Sequence, residues 1–348
     1  MNIRKSFTNS KSINLPIVFR PTDPKDRITQ IDILRGFALF GVLLVNVFGY
    51  NSSFFDFSGF YAEFKDPLNS RIFEMVVGFA ADKFIFIFSF LFGIGFAIMY
   101  LKYRADEKHF FRLYLRRMLA LMGFGIIHIV FFWAGDILLS YSLMGIILLL
   151  SRKLPSGWLL FFSVFWYFFP IAYIALENVF PFLPDAMSSV TTIKMPEVIT
   201  IYSGGSYSEI FRLRLHEFAA FRNINLIYYA PKVLSLFLLG YLFYKHRFLD
   251  RINASKKKYF ITAVVLLVAG IAATLFTGNI VDVLAGNQET NPYATAIYMG
   301  VYELTNILLG FAYILLVLIG SKVIFFKNIL APLKYAGRTA LTNYLMQS

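Results

Sequence analysis

Eight apolar stretches run through this chain, and they leave few folds open to it. They are Ile31–Tyr50, Phe84–Leu101, Leu113–Trp133, Asp136–Leu150, Trp158–Leu176, Tyr228–Tyr244, Tyr259–Thr277 and Ala296–Ile319. About 20 apolar residues in a helix cross roughly 30 Å of hydrocarbon. In lipid, every backbone amide has to be satisfied inside the protein, which a helix does by itself. Of the 348 residues, 58% are hydrophobic and 15% charged, and mean hydropathy is +0.64. Soluble domains carry about a quarter charged residues. The fold class expected is therefore all-α, a polytopic transmembrane helix bundle of about eight or nine spans. The ninth begins near Leu333. Its 14 residues from Tyr335 to Ser348 rise about 21 Å as a helix, so the last helix is expected to be truncated.

Charge sets the orientation. The net charge of +13 would point to nucleic acid in a soluble protein. Here the lysines and arginines crowd into alternate short loops, the positive-inside pattern, and no nucleic-acid partner is expected. Arg4, Lys5, Lys11, Arg20, Lys25 and Arg27 precede the first span; Lys102 to Arg117 follow the second. Arg152 and Lys153 follow the fourth, Lys245 to Lys258 the sixth, and Lys322 to Lys334 the eighth. The N-terminus is expected on the cytoplasmic side, with anionic lipid as a partner of the basic loops. Residues 1–28 lack the apolar core of a cleaved signal and read as a basic tail. Residues 29–155 read as an N-terminal bundle and 156–348 as a C-terminal one with an outer loop at 177–227. Within that loop, Ser208 to Arg222 has the pattern of a helix lying on the membrane surface. Arg71–Lys83 reads as an interfacial or re-entrant helix. With no cysteine, thiol catalysis and thiolate metal sites are excluded. The four histidines lack metal-ligand spacing, so no metal site is expected.

Few polar residues interrupt the spans. Asp32 and Arg35, three apart on one helix face, lie near the inner surface. They read either as part of a site or as a snorkelling pair that fixes the helix end. Asn46 lies about 16 Å deeper by helical rise, as a site residue or as an interhelical hydrogen-bonding group. Asp82 and Lys83 precede the second span, as site residues or a self-neutralising cap. His128 lies near the outer end of the third span, and its pKa range suits general-base work. Asp136 occupies a helix N-cap position. Asn46, Asp82, His128 and Asp136 are expected near one level facing the outer leaflet. Gly93, Gly95, Gly123 and Gly125 sit in apolar helix without the context of a phosphate loop, and read as close-packing positions.

Three blocks carry a family likeness. The first runs from Arg27 through Asp32-Ile-Leu-Arg35-Gly36 to Asn46, followed by Lys83 to Gly95. The second runs from Arg116 through His128 to Trp133-Ala-Gly-Asp136-Ile-Leu138. The third is Leu330 to Ser348, containing Gly337-Arg338. Together they resemble the YeiB-like family of bacterial inner-membrane proteins. In that family the last block continues into further membrane helix. The Asp-x-x-Arg-Gly opening is also similar to that of transmembrane acyltransferases. Those that decorate cell-surface sugars carry histidine eleven residues after the arginine. The heparan glucosaminide N-acetyltransferase-like family carries asparagine there, as this chain does at Asn46. Ala81-Asp82 and Gly93 match that second family, whose histidine about ten residues before the aspartate is replaced here by Ile72.

The resemblance implies acyl transfer from a cytosolic donor to an outer-facing acceptor, a small molecule or an envelope glycan or lipid. It implies no bound cofactor, with acyl-coenzyme A as donor substrate. His128, with Asp82 or Asp136, would then be catalytic. Asp32, Arg35, Asn46, Lys83 and Arg338 would bind substrate. A transporter or lipid-handling protein without covalent chemistry is the rival reading, since buried charges line transport paths equally.

Overall fold

A computed structural model describes residues 27–51, 66–185, 195–286 and 291–347; the basic tail, up to residue 26, lies outside them. The protein is an all-α polytopic helix bundle. In chain order the helices are α1 (Thr29–Asn51), α2 (Pro67–Phe79), α3 (Lys83–Lys102), α4 (Glu107–Phe131), α5 (Leu138–Ser151), α6 (Ser156–Glu177), α7 (Met195–Gly204) and α8 (Tyr207–Ala220). A π-helical segment, Ile224–Tyr229, leads into α9 (Ala230–Lys245). Then come α10 (Phe248–Ala254), α11 (Lys256–Leu275), α12 (Thr277–Ala285), α13 (Ala294–Gly320), α14 (Ile324–Leu330), α15 (Leu333–Arg338) and α16 (Ala340–Leu345). Among the described residues, seven helical stretches are long and apolar enough to cross a membrane. Pro67–Lys102, which spans α2 and α3, counts as one, and so does Ile224–Lys245. α5 is apolar but has only 14 residues.

Local sequence explains where the helices start. Asp66 caps α2 by accepting from the Leu68 and Asn69 amides, with Pro67 at the first helical position, where proline's missing N–H costs nothing. Asp106 caps α4 through the His109 amide. Ser206 and Glu209 form a reciprocal capping box at the start of α8, the helix that the 208–222 pattern predicts. The α2–α3 turn is tight, and Asp82 there adopts a left-handed conformation at φ 60°.

α3 and α9 form the centre of the bundle, with α1, α5, α6 and α13 around them. In lipid there is no hydrophobic drive between helices, so contact comes from close backbone approach and hydrogen bonds. Both occur here. A methyl on Gly93 of α3 would stand 2.0 Å from the Phe237 carbonyl oxygen of α9, and one on Gly240 of α9 equally close to that of Phe90 on α3. α6 and α9 exchange hydroxyl-to-carbonyl bonds: Ser163 donates to the Ser235 carbonyl at 2.9 Å, and Ser235 to that of Ser163 at 2.6 Å. α11, by contrast, is mostly exposed along its apolar length, as a lipid-facing helix would be.

The loops rich in lysine and arginine share one end of the bundle. Gln30 bonds to Asn253 and to the Leu318 carbonyl, Lys153 pairs with Glu107, and His246 meets Ser156. The segment from Leu333 is not one straight span. It is two short helices broken at Thr339, and both pack on α1. Gly36 and Gly337 make the contact. A methyl on Gly36 would lie 2.0 Å from the Leu333 carbonyl oxygen, and one on Gly337 1.8 Å from that of Asp32.

Candidate functional site

His128 and Asp136 meet because the chain reverses sharply between α4 and α5. The His128 carbonyl accepts from the amides of both Phe132 and Trp133, closing α4. Asp136 then caps α5, its Oδ1 accepting from the Leu139 amide at 3.1 Å. Gly125, one turn before His128, leaves room for this return: a methyl there would be 2.6 Å from the Leu139 nitrogen. The second oxygen of Asp136 faces His128, with Oδ2 3.0 Å from Nδ1. Both residues are buried, at 5% and 2% exposure. Capping and imidazole contact are thus served by the two oxygens of one carboxylate.

Aromatic groups complete the surroundings. Phe132 stacks on the imidazole, and the Tyr344 ring of α16 lies 5.7 Å from it. The Tyr344 hydroxyl accepts from the Ile137 amide at 3.2 Å. Tyr50 and Tyr141 lie within electrostatic range of Tyr344. Tyr50 also packs edge-on against Trp133, and its hydroxyl bonds to the Asn46 side chain. Asn46 therefore reaches the histidine's neighbourhood through Tyr50.

At the basic end, Arg35 Nη1 is 3.3 Å from Asp32 Oδ1, and Arg338 Nε is 3.8 Å from Oδ2. Arg35 lies along α3 against Gly95, whose added methyl would meet Nη2 at 3.2 Å. Arg117 contacts Met99 one turn further along α3. Two guanidiniums therefore share one carboxylate, with a third, Arg117, close to Arg35. The side chains of Arg35 and Arg338 keep 30% and 35% of their surface exposed, so this group is open to an anion.

Asp82 and Lys83 lie in a different cluster. Asp82 Oδ2 is 3.8 Å from Lys232 Nζ, which is 2.6 Å from Glu303 Oε1. Glu303 also accepts from Tyr167 at 2.8 Å and from Tyr228. Lys83, fully buried, points its ammonium at the Val77 carbonyl and over the Tyr302 ring. Among the candidates predicted from sequence, the geometry therefore groups His128 with Asp136, Asp32 with Arg35 and Arg338, and Asp82 with Lys83.

Comparison with known proteins places the chain. A family described as "Protein of unknown function (DUF418)" matches residues 243–348. The uncharacterised protein YxaH of Bacillus subtilis (strain 168) is 30% identical over 346 residues, covering 94% of this chain and 81% of YxaH. An uncharacterised 39.9 kDa protein in the amylase 3' region of Bacillus acidopullulyticus is 27% identical, covering 93% and 78%. Protein YeiB of Escherichia coli (strain K12) is 32% identical over 134 residues, 38% of this chain and 33% of YeiB. The chain belongs to the YeiB-like family. No solved structure matches it. For this YeiB-like protein, sequence reading overlooked Lys232 and Glu303. The signal was there: each is a charged residue inside an apolar span, which marks a functional candidate by itself. Tyr344 and Arg117 carried no comparable signal, since only packing shows what they approach.

Proposed function

We infer that this YeiB-type membrane protein transfers an acyl group from a cytosolic donor, an acyl-coenzyme A, to an acceptor on the opposite face of the bacterial cytoplasmic membrane. The N-terminus faces the cytoplasm in this reading. The observation that carries it is the buried contact of His128 Nδ1 with Asp136 Oδ2 at 3.0 Å. A base oriented by a carboxylate is the usual arrangement for activating a weak nucleophile. In this reading the ring proton sits on Nδ1, next to the Asp136 carboxylate, and Nε2 carries the lone pair. It takes the proton of the acceptor hydroxyl as that oxygen attacks the thioester carbonyl. The carbon–sulfur bond then breaks, and the coenzyme leaves as a thiol after taking up the proton. Asp136 stabilises the imidazolium between these steps. The phosphates of the donor find cations at Arg35 and Arg338, and Asn46 helps to position the acyl carbonyl or the acceptor.

The test uses full-length protein in proteoliposomes with labelled acyl-coenzyme A, and both transfer and binding are measured. His128→Ala should abolish transfer while leaving donor binding and the fold intact. A fully active His128→Ala protein would sink the mechanism. A transporter without covalent chemistry is the second reading, favoured by the buried Asp82–Lys232–Glu303 charges. Substrate flux into proteoliposomes without saturable donor binding would support it instead.

A further inference from the structure

Acyl transfer makes no use of the short helix α14, whose level in the bundle is fixed by its neighbours. α13 has 27 residues and rises about 40 Å, more than the roughly 30 Å of the hydrocarbon core. Near its end the Leu318 carbonyl accepts from Gln30 at 2.8 Å, and Gln30 also bonds to Asn253. Those two residues lie at the start of α1 and in α10, among the basic loops. The chain therefore reaches that membrane surface by Ser321. α14 follows with only seven residues, too few to cross back.

At this level α14 is almost uncovered. Ile324 is 84%, Phe325 69% and Ile329 60% exposed, while Phe326 and Leu330 turn towards Gly320 of α13. Lys327 is two residues from both Phe325 and Ile329, so it points to the opposite side of the helix. That division suits a helix lying in the membrane plane. Lys322 and Lys334 flank it, and no acidic residue occurs between Glu303 and Ser348. Tyr335, 61% exposed, has Lys334 4.7 Å and Arg338 5.6 Å from its ring, and tyrosine is enriched at headgroup depth. Charge disfavours two other covers for this face. The tail up to residue 26 carries Arg4, Lys5, Lys11, Arg20 and Lys25 against Asp23 and Asp26, and a second copy would bring its own basic loops. Both repel the lysines, whereas lipid phosphates attract them.

We propose that α14 is an in-plane anchor that binds anionic phospholipid at the basic end of the bundle. Ile324, Phe325 and Ile329 sink beneath the headgroups, and Lys322, Lys327 and Lys334 contact the lipid phosphates. Each lysine near an anionic surface favours contact about fivefold. The anchor also steadies α15, which starts three residues later at Leu333 and seats on α1. This inference is independent of acyl transfer and stands or falls without it.

The cysteine-free chain gives a clean test. Phe325→Cys places a single thiol on α14, and Val265→Cys places one on the exposed face of α11 as the control for ordinary lipid contact. Each full-length protein is labelled with a thiol-reactive fluorophore. It is reconstituted in vesicles of phosphatidylcholine and phosphatidylglycerol, with a nitroxide on the acyl chains of one lipid or the other. At position 325, quenching by nitroxide phosphatidylglycerol is expected to exceed quenching by nitroxide phosphatidylcholine at least about fivefold. At position 265 the two should be equal. Adding Lys322→Gln, Lys327→Gln and Lys334→Gln together should bring the ratio at 325 close to the control. Salt at about 1 M, which screens charge beyond about 3 Å, should do the same with the natural lysines and guards against failure of the variant to fold. Absence of quenching by either lipid at 325 would mean water or protein covers the helix, and would overturn the proposal. So would equal quenching by the two lipids in low salt, or a preference that survives both loss of the lysines and high salt.

Discussion

Replacing Gly337 with alanine tests the contact between α1 and α15. The new methyl would stand 1.8 Å from the Asp32 carbonyl oxygen, roughly half the 3.4 Å at which ordinary van der Waals contact begins. The obstructing atom is backbone, so no rotamer change relieves it and the two helices must part. Overpacking of a fitted interface costs about 1–3 kcal/mol, and a backbone clash of this depth belongs at the upper end. Gly36→Ala meets the Leu333 carbonyl at 2.0 Å across the same crossing and should cost a similar amount. Once one methyl has separated the helices, the second finds room. The double variant should therefore fall short of the sum by at least about 0.5 kcal/mol, as coupled neighbours do. Gly123→Ala is the control. Nothing lies within 4 Å of its added methyl, and alanine is favoured over glycine in a helix by about 0.5–1 kcal/mol. Equilibrium unfolding in mixed micelles, followed by tryptophan fluorescence, reads all four proteins. A Gly337→Ala protein within about 0.5 kcal/mol of the parent, or strict additivity of the pair, would refute a close α1–α15 contact.

Other expectations are simpler. Asp136→Asn can keep the bond to the Leu139 amide but presents an amide nitrogen to His128 Nδ1, fixing the opposite tautomer. It should lose transfer while staying more stable than Asp136→Ala, which also loses a cap worth about 0.5–2 kcal/mol; equal stability of the two in unfolding assays would count against the cap. Ser163→Ala removes one of the paired α6–α9 hydroxyl bonds, and interhelical bonds of this kind average about 0.6 kcal/mol. A cost well above about 2 kcal/mol in the same micelle assay would mean the pair acts as more than two separate bonds. At α8, the Ser206 hydroxyl and amide hold the Glu209 carboxyl below its ordinary value of 4.5. Stability from this box is full above pH 4.5 and disappears as pH falls through the lower, folded-state value. Hydrogen exchange across the first turn of α8 should therefore stay slow from pH 7 to pH 5, after correction for intrinsic rates, and lose protection only in more acidic solution. Ser206→Ala should show weaker protection throughout.

Much of the fold is legible in the sequence because the bilayer makes hydropathy a nearly direct readout of helices. The apolar windows mark the long helices to within a few residues, and the 208–222 pattern marks α8. Asp136 reads as a cap from its position before α5, and it is one. The segment after Leu333 is less legible. Its composition suits a span, but the break at Thr339 and the seat on α1 follow from Gly36 and Gly337 facing each other across more than 290 residues of chain. Lys232 and Glu303 escape notice for a related reason. Each is a single charge diluted in an apolar window, and its meaning depends on a partner 71 residues away. The grouping of polar residues by level, which joins Asp82 to His128, takes no account of rotation about the helix axes. α3 turns Asp82 towards α9 and α13, where Lys232 and Glu303 wait.

The seating of α15 and α16 on α1 also has a consequence for biosynthesis. A ribosome adds about 5–20 residues per second, so α1 is made about 15–60 seconds before the segment that covers its Asp32–Gly36 face. During that interval the face has no permanent neighbour. Lipid, a neighbouring early helix or the insertion machinery must occupy it and then be displaced. Closing the bundle is therefore a late, long-range step, and it brings Tyr344 to a histidine and an aspartate that were inserted much earlier. Quality-control proteases that recognise an uncovered first span would sense this moment more sharply than any other stage of assembly.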